Sequence, residues 1–293
     1  MSASETIVVT GATGQLGRLV LAELLRIAPG ARLVGAVRKP ATAKDLADRG
    51  VEIRAADYNN HASWTAAFTG ADKVLLISSN EVGHRVAQHR NVIDAAKTAG
   101  VKLLAYTSIL RADTSPMALA VEHLETEKYI RASGVPFVFL RNGWYTENYT
   151  VSIGAALQHG AVLGAARNGR ISSAARADFA AAAAVVMASD AKSQAGRIYE
   201  LAGDSGFTLS EYAAEISRQS GKPVLYQDMA RSDYKVALQG IGLPEPFAEL
   251  YSESDAKAAG DSLYDAGREL SKLIGRPTTT LAASVTAALA AAR

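Results

Sequence analysis

An apolar run, Thr6–Thr10, passes directly into Gly11-Ala12-Thr13-Gly14-Gln15-Leu16-Gly17, and a helical pattern with an apolar stripe follows from Gln15. A strand that turns through a G-x-x-G-x-x-G loop into a helix is the signature of a dinucleotide-binding βαβ unit. Each glycine has a physical task. Gly11 permits the tight turn, Gly14 lets the backbone approach a pyrophosphate, and Gly17 lets the helix pack closely on the strand. The first helical N–H groups and the positive end of the helix dipole then face the phosphates. Thr13 and Gln15 can add side-chain hydrogen bonds, while Leu16 packs beneath the loop. No G-K-[ST] follows, which excludes nucleotide hydrolysis by a Walker-type loop.

The rest of the first half fits this start. Apolar runs at 32–37, 51–56, 73–78, 101–108 and 136–141 alternate with helical patterns, several ending in glycine before the next run. Nearly continuous apolar strands separated by helices imply right-handed crossovers and an α/β fold, a Rossmann doubly wound parallel sheet. The second half is less regular. Short strands near 197–203 and 223–227, an amphipathic helix after Phe207 and alanine-rich helices at 177–190 and 281–292 suggest a small α/β C-terminal lobe over the carboxyl edge of the sheet. Those alanine-rich helices read as close-packed core. The expected division is a NADP-binding Rossmann domain over 1–150 and, over 151–293, mainly a substrate lobe with some elements returning to the Rossmann sheet.

Composition narrows the class. A net charge of +2 over 293 residues gives no support for a nucleic-acid partner or a membrane surface. The absence of cysteine removes disulfides, thiolate nucleophiles and cysteine metal sites. The longest uncharged apolar run, Phe179 to Ser189, is too short for a bilayer, and no secretory signal pattern opens the chain. These features predict a cytoplasmic protein without a membrane span. No metal site is expected, because the five histidines show no ligand spacing.

The end of the second strand decides which dinucleotide. NAD-selective sites place an acid there to bind the ribose hydroxyls. This chain has Arg38-Lys39 instead. A guanidinium can meet a 2′-phosphate bidentately, which favours NADPH over a simple solvated turn. After the third strand, Asp57-Tyr58 offers a carboxylate that either accepts a bond from the adenine amino group or merely starts a turn. Ser78 and Ser79 end the fourth strand and read as lining of the coenzyme crevice.

No tyrosine is followed four residues later by lysine, so the Tyr-x-x-x-Lys proton relay of many short-chain dehydrogenases is absent. No G-x-S-x-G elbow occurs either. What stands out instead is Arg141–Tyr149, "RNGWYTENY", after the sixth strand. Asn142, Tyr145, Glu147 and Asn148 concentrate hydrogen-bonding groups at a carboxyl strand end, and Trp144 is placed to cap a flat ligand.

The segments "VTGATGQLG", "VRKP", "LLISSNEVGHRVAQHRNVIDAAK", "YTSILRADTSP", "FLRNGWYTENY" and "YELAGDSGFTLSEYA" resemble the type 2 NAD(P)H:quinone oxidoreductases. These are atypical short-chain dehydrogenases of the NmrA-like group, close to triphenylmethane reductase, and the resemblance covers essentially the whole chain. It implies NADPH as preferred reductant and a small-molecule quinone as substrate. It also implies Gly11 to Gly17 on the phosphates, Arg38 on the 2′-phosphate, Ser78, Ser79 and Asn80 at the crevice edge, and Gly143, Trp144, Tyr145, Thr146, Glu147 and Asn148 near the nicotinamide. The family also lacks the Tyr-Lys pair. Tyr145 or Asn148 then supports the developing oxyanion without being an obligatory donor. A second reading stays open: a non-catalytic NADP(H) sensor that regulates a protein partner. A sugar-nucleotide epimerase is disfavoured by the missing dyad.

Overall fold

The structure is a computed structural model that describes residues 4–292. Among the described residues, nine strands form two sheets. β1 (Thr6–Val9), β2 (Arg32–Val37), β3 (Glu52–Ala55), β4 (Lys73–Leu76), β5 (Leu103–Ile109), β6 (Phe137–Asn142) and β8 (Ile198–Leu201) build a seven-stranded sheet in the order 3-2-1-4-5-6-8. β7 (Ala161–Gly164) and β9 (Leu225–Asp228) form a separate parallel pair. Strands β1 to β6 pair in parallel, with Thr6 opposite Arg32 and Ile7 opposite Lys73. This is the doubly wound α/β fold that the strand–helix alternation predicts, with a smaller sheet beside its second-half helices.

The chain divides into two compact units. The first takes the chain up to Asp113, Val121–Asn142 and Arg176–Glu200; the second takes Thr114–Ala120, Gly143–Ala175 and the chain from Leu201 onward. Within the first, β1, β4 and β5 are fully buried, as parallel strands covered on both faces must be. β3 is only half-buried because it lies at the sheet edge. The helix Arg176–Ala188 packs along the helix Gln15–Ile27. Phe179 and the run Ala180–Ala184 are buried, since small side chains let two helix backbones approach.

The run near 197–203 forms β8, which lies beside β6 at the edge of the large sheet. One expectation changes. The second alanine-rich helix, Leu281–Ala291, is not core, since Val285 is its single fully buried residue. It touches the helix Leu209–Ser220 along one stripe, where Thr286 Oγ1 donates to Gln219 Oε1 at 2.8 Å. Its composition matches that of the buried helix; its neighbours do not.

Candidate cofactor site

In this strand order the chain reverses direction across the sheet between β1 and β4. Loops leaving the carboxyl ends of those two strands diverge, and ligands of open α/β sheets bind in the gap. A cleft of about 860 Å³ opens there, within the first unit. That volume suits a cofactor-sized ligand.

The floor of the cleft is the glycine loop. Gly11 has φ +57°, in the left-handed region that glycine enters without penalty, and its carbonyl accepts the Gly14 N–H at 2.9 Å. A Cβ on Gly17 would collide with that carbonyl and stand 2.9 Å from Ala12 Cα, so glycine is required for the helix to sit against the loop. Ala12, Leu16 and Gly17 are buried beneath; Gly11, Thr13, Gly14 and Gln15 line the cleft. Gly14 is the N-cap of the helix Gln15–Ile27, and no side chain caps it. The first-turn N–H groups therefore await an acceptor from outside the helix, which a pyrophosphate supplies. This cradle fits the dinucleotide.

Tyr58 holds the loop up. Its hydroxyl donates to the Ile77 carbonyl at 2.7 Å and shares a 2.8 Å bond with Thr10 Oγ1, while Thr10 Oγ1 accepts the Ile77 N–H at 2.9 Å. The three residues tie the ends of β1 and β4 to the β3 loop. Burial raises the Tyr58 phenol well above its ordinary value, so it stays neutral and acts as a strut. Asp57 spends one carboxylate oxygen on the Asn59 N–H at 2.9 Å, the turn that one of its two readings required.

Arg38 lines the cleft with its side chain largely exposed. Glu81, absent from the sequence-based site, faces it: Arg38 Nη1 and Glu81 Oε1 are 3.6 Å apart. Ser78, Ser79 and Asn80 also line the cleft. The Ser78 N–H donates to Thr107 Oγ1 at 2.8 Å. The Ser79 N–H donates to Nε2 of the buried His89 at 3.0 Å, so the His89 proton sits on Nδ1, 3.0 Å from Thr126 Oγ1. Burial first, and then the nearby Arg85 charge, push the His89 pKa down to about 3. Its lone pair is thus always ready for the loop. His89 was illegible as a loop anchor, because the Ser79 N–H it accepts comes from ten residues away across a loop.

Asn142 ends β6 in the first unit. It is buried, its backbone carbonyl accepts the Leu110 N–H, and its Oδ1 has no partner among the described residues. The residues after it belong to the second unit. There the Gly143 N–H donates to Leu201 O at 2.7 Å, and Trp144 and Thr146 exchange backbone bonds with Ala174. Thr146 Oγ1 meets Ser173 Oγ at 2.8 Å. Trp144 is 6 % exposed and packs at a steep angle against the Tyr251 ring. Tyr145, Glu147 and Asn148 remain half-buried.

The Tyr149 hydroxyl donates to Asp255 Oδ1 at 3.3 Å, and the Ala165 N–H donates to Oδ2 at 3.2 Å. Burial pushes the Asp255 carboxyl up to about 6, against an ordinary value of 3.8. The fold therefore binds this proton more tightly than the unfolded chain does. Its contribution to stability is complete below pH 3.8 and is lost as pH rises through 6. Retaining the charge at neutral pH costs about 3 kcal/mol. Asp255→Asn should raise the unfolding midpoint at pH 7.5, and the gain should vanish at pH 4. An equal difference at both pH values, measured by chemical denaturation, would remove Asp255 as the cause.

The helix Ala118–Ser133 carries buried His123 and Glu127 one turn apart. His123 Nδ1 lies 2.8 Å from Tyr106 Oη. Glu127 is held bidentately by Arg141 Nε and Nη2 at 2.9 and 2.7 Å and accepts from Ser108 Oγ at 2.7 Å. Ser108 is thereby committed to a carboxylate.

Known proteins place this geometry in context. The chain is 54 % identical to quinone oxidoreductase 2 of Escherichia coli over 95 % of its length and 97 % of that protein. It superposes on the Escherichia coli NADPH-dependent quinone oxidoreductase complexed with NADPH with a TM-score of 0.93, covering 97 % of this chain and 99 % of that one at 53 % identity. It also superposes on Citrobacter triphenylmethane reductase complexed with NADP(H), with a TM-score of 0.91 at 37 % identity over 96 % and 99 % of the two chains. The NmrA-like family model matches residues 3–281. With a glycine-floored cleft at the reversal of a doubly wound sheet and these relatives along nearly its whole length, the chain belongs to the NmrA-like family.

Proposed function

We propose that this protein is a cytoplasmic NADPH-dependent quinone oxidoreductase that reduces small quinones to hydroquinones. The observation that carries the reading is the near full-length likeness to a quinone oxidoreductase, in a chain whose cleft is lined both by an uncapped helix N-terminus and by Arg38. In this reading Gly11, Thr13, Gly14 and Gln15 hold the pyrophosphate, Arg38 holds the 2′-phosphate, and Ser78, Ser79, Asn80 and Asn142 line the path between adenosine and nicotinamide. Asp57 and Tyr58 shape the adenine end. The segment Gly143–Asn148 serves the quinone and the nicotinamide, and residues from 151 onward are mainly the substrate lobe.

The bound coenzyme supplies a hydride, and a proton from solvent completes the reduction of quinone to hydroquinone. The intermediate hydroquinone anion is a phenolate, and a phenol pKa of about 10 leaves water able to protonate it. The protein's own task is to hold the two rings together and exclude other poses. A hydrogen bond from Tyr145 or Asn148 to the developing oxyanion assists without being obligatory. This explains how a site without the Tyr-Lys relay can work: an electrophilic quinone does not need an alkoxide to be protonated.

Tyr145→Phe should therefore keep a substantial part of quinone turnover. A fall in kcat of about a hundredfold or more, the size seen on removing an essential oxyanion donor, would make Tyr145 a true acid and overturn this mechanism. Product analysis tests the activity itself: one hydroquinone should form for each NADPH consumed.

A further inference from the structure

Glu81 lines the coenzyme cleft with Arg38 and Asp57; it lies within ion-pair distance of Arg38 and is firmly held. Gln88, 1 % exposed on the helix Arg85–Ala99, donates from Nε2 to Glu81 Oε2 at 2.7 Å and to Asn59 Oδ1 at 3.1 Å. That pair of acceptors fixes the orientation of the amide, because its oxygen in the same place would face two other oxygens. The main chain is pinned as well. The Glu81 N–H donates to Ser79 Oγ at 3.2 Å, and the Glu81 carbonyl accepts the His84 N–H at 3.0 Å. The carboxylate cannot swing out of the cleft without breaking the bond from Gln88. At 3.6 Å its other oxygen, Oε1, acts on Arg38 by charge more than by a hydrogen bond.

We propose that Glu81 is a specificity-determining residue that lowers the preference of the cleft for a 2′-phosphorylated dinucleotide and supports binding of the unphosphorylated one. The inference rests on the reading that Arg38 meets the 2′-phosphate. A phosphate on Arg38 has to share the guanidinium with a fixed carboxylate, and like charges drawn to one cation repel each other. A dinucleotide without the phosphate presents ribose hydroxyls, which donate to a carboxylate, as they do to the acid of NAD-selective sites. In those sites the acid ends the second strand. Here that position belongs to Arg38, and the acid enters from the β4 loop on the opposite side. The two side chains together read both coenzymes, each favouring one.

The test is the affinity of the purified protein for NADP⁺ and NAD⁺, measured by calorimetry without quinone. Four proteins are compared: wild type, Glu81→Gln, Arg38→Ala and the double variant. Glutamine keeps an acceptor for Gln88, and an unchanged thermal midpoint verifies that the fold is retained. Glu81→Gln should tighten NADP⁺ by about three- to fivefold, the range of an exposed charge interaction, and weaken NAD⁺. The gain should shrink from low salt to about 0.5 M potassium chloride as the charges are screened, and it should be absent when Arg38 is alanine. Unchanged or weaker NADP⁺ binding in Glu81→Gln overturns the proposal. If Arg38→Ala lowers the NADP⁺/NAD⁺ affinity ratio while Glu81→Gln leaves it alone, the Glu81 inference alone fails. If Arg38→Ala leaves the ratio unchanged, the 2′-phosphate is held elsewhere and both readings fail.

Discussion

An Arg141→Met variant should lose about 3–5 kcal/mol of unfolding free energy, the usual cost of removing one partner of a buried ion pair. Arg141 is 4 % exposed and Glu127 1 %. The guanidinium binds Glu127 bidentately and gives its third nitrogen to Glu200 at 2.8 Å, with Asp113 at 3.1 Å from the same nitrogen. Its charge is favoured strongly: burial opposes it, but the hydrogen bonds to Glu127 and Glu200 outweigh burial and raise its pKa further above the ordinary value. Methionine fills most of the volume yet leaves Glu127 with Ser108 as its remaining side-chain donor. A second change, Glu127→Met, should then recover much of the loss, because it removes the stranded charge. A loss below about 1 kcal/mol in the single variant, the range of exposed pairs, would show that water reaches Glu127 and that the pair is not a buried one.

How much of this was readable in advance follows from how local each feature is. The glycine loop and the positions of β1 to β6 are written in contiguous residues, so a strand-turn-helix pattern is enough to find them. Arg38 is legible for the same reason, since it ends a strand whose role in such folds is general. Tyr58 was legible as a residue at the cleft and illegible as a strut, because Thr10 and Ile77 reach it from 48 and 19 residues away. Glu81 and His89 were missed because they act across a loop, one on Arg38 and one on the Ser79 N–H. The signal available for Glu81 was an acid directly after the Ser-Ser-Asn run at the end of β4. β8 was legible as a strand but not as a neighbour of β6, because that pairing joins segments far apart in sequence. The contact of Trp144 with Tyr251 was illegible, because that ring comes from a helix more than a hundred residues on.

The most direct test of the central claim compares NADPH consumption by wild type and by Gly14→Val, with and without a small quinone such as benzoquinone or a naphthoquinone. The backbone of Gly14, φ −70° and ψ 165°, is ordinary for any residue. An added Cβ meets only the Gly11 carbonyl, at 3.1 Å, so the variant should fold. The valine methyl groups then occupy the exposed side of the loop, where the pyrophosphate has to approach, and NADPH binding should fall away. An enzyme-free control removes the direct reaction of quinone with NADPH. Wild type should consume NADPH steadily only when quinone is present, and Gly14→Val should match the enzyme-free rate. Equal consumption by both proteins, with NADPH binding retained by wild type alone, would contradict the account and make the chain a sensor of the coenzyme rather than an enzyme that uses it.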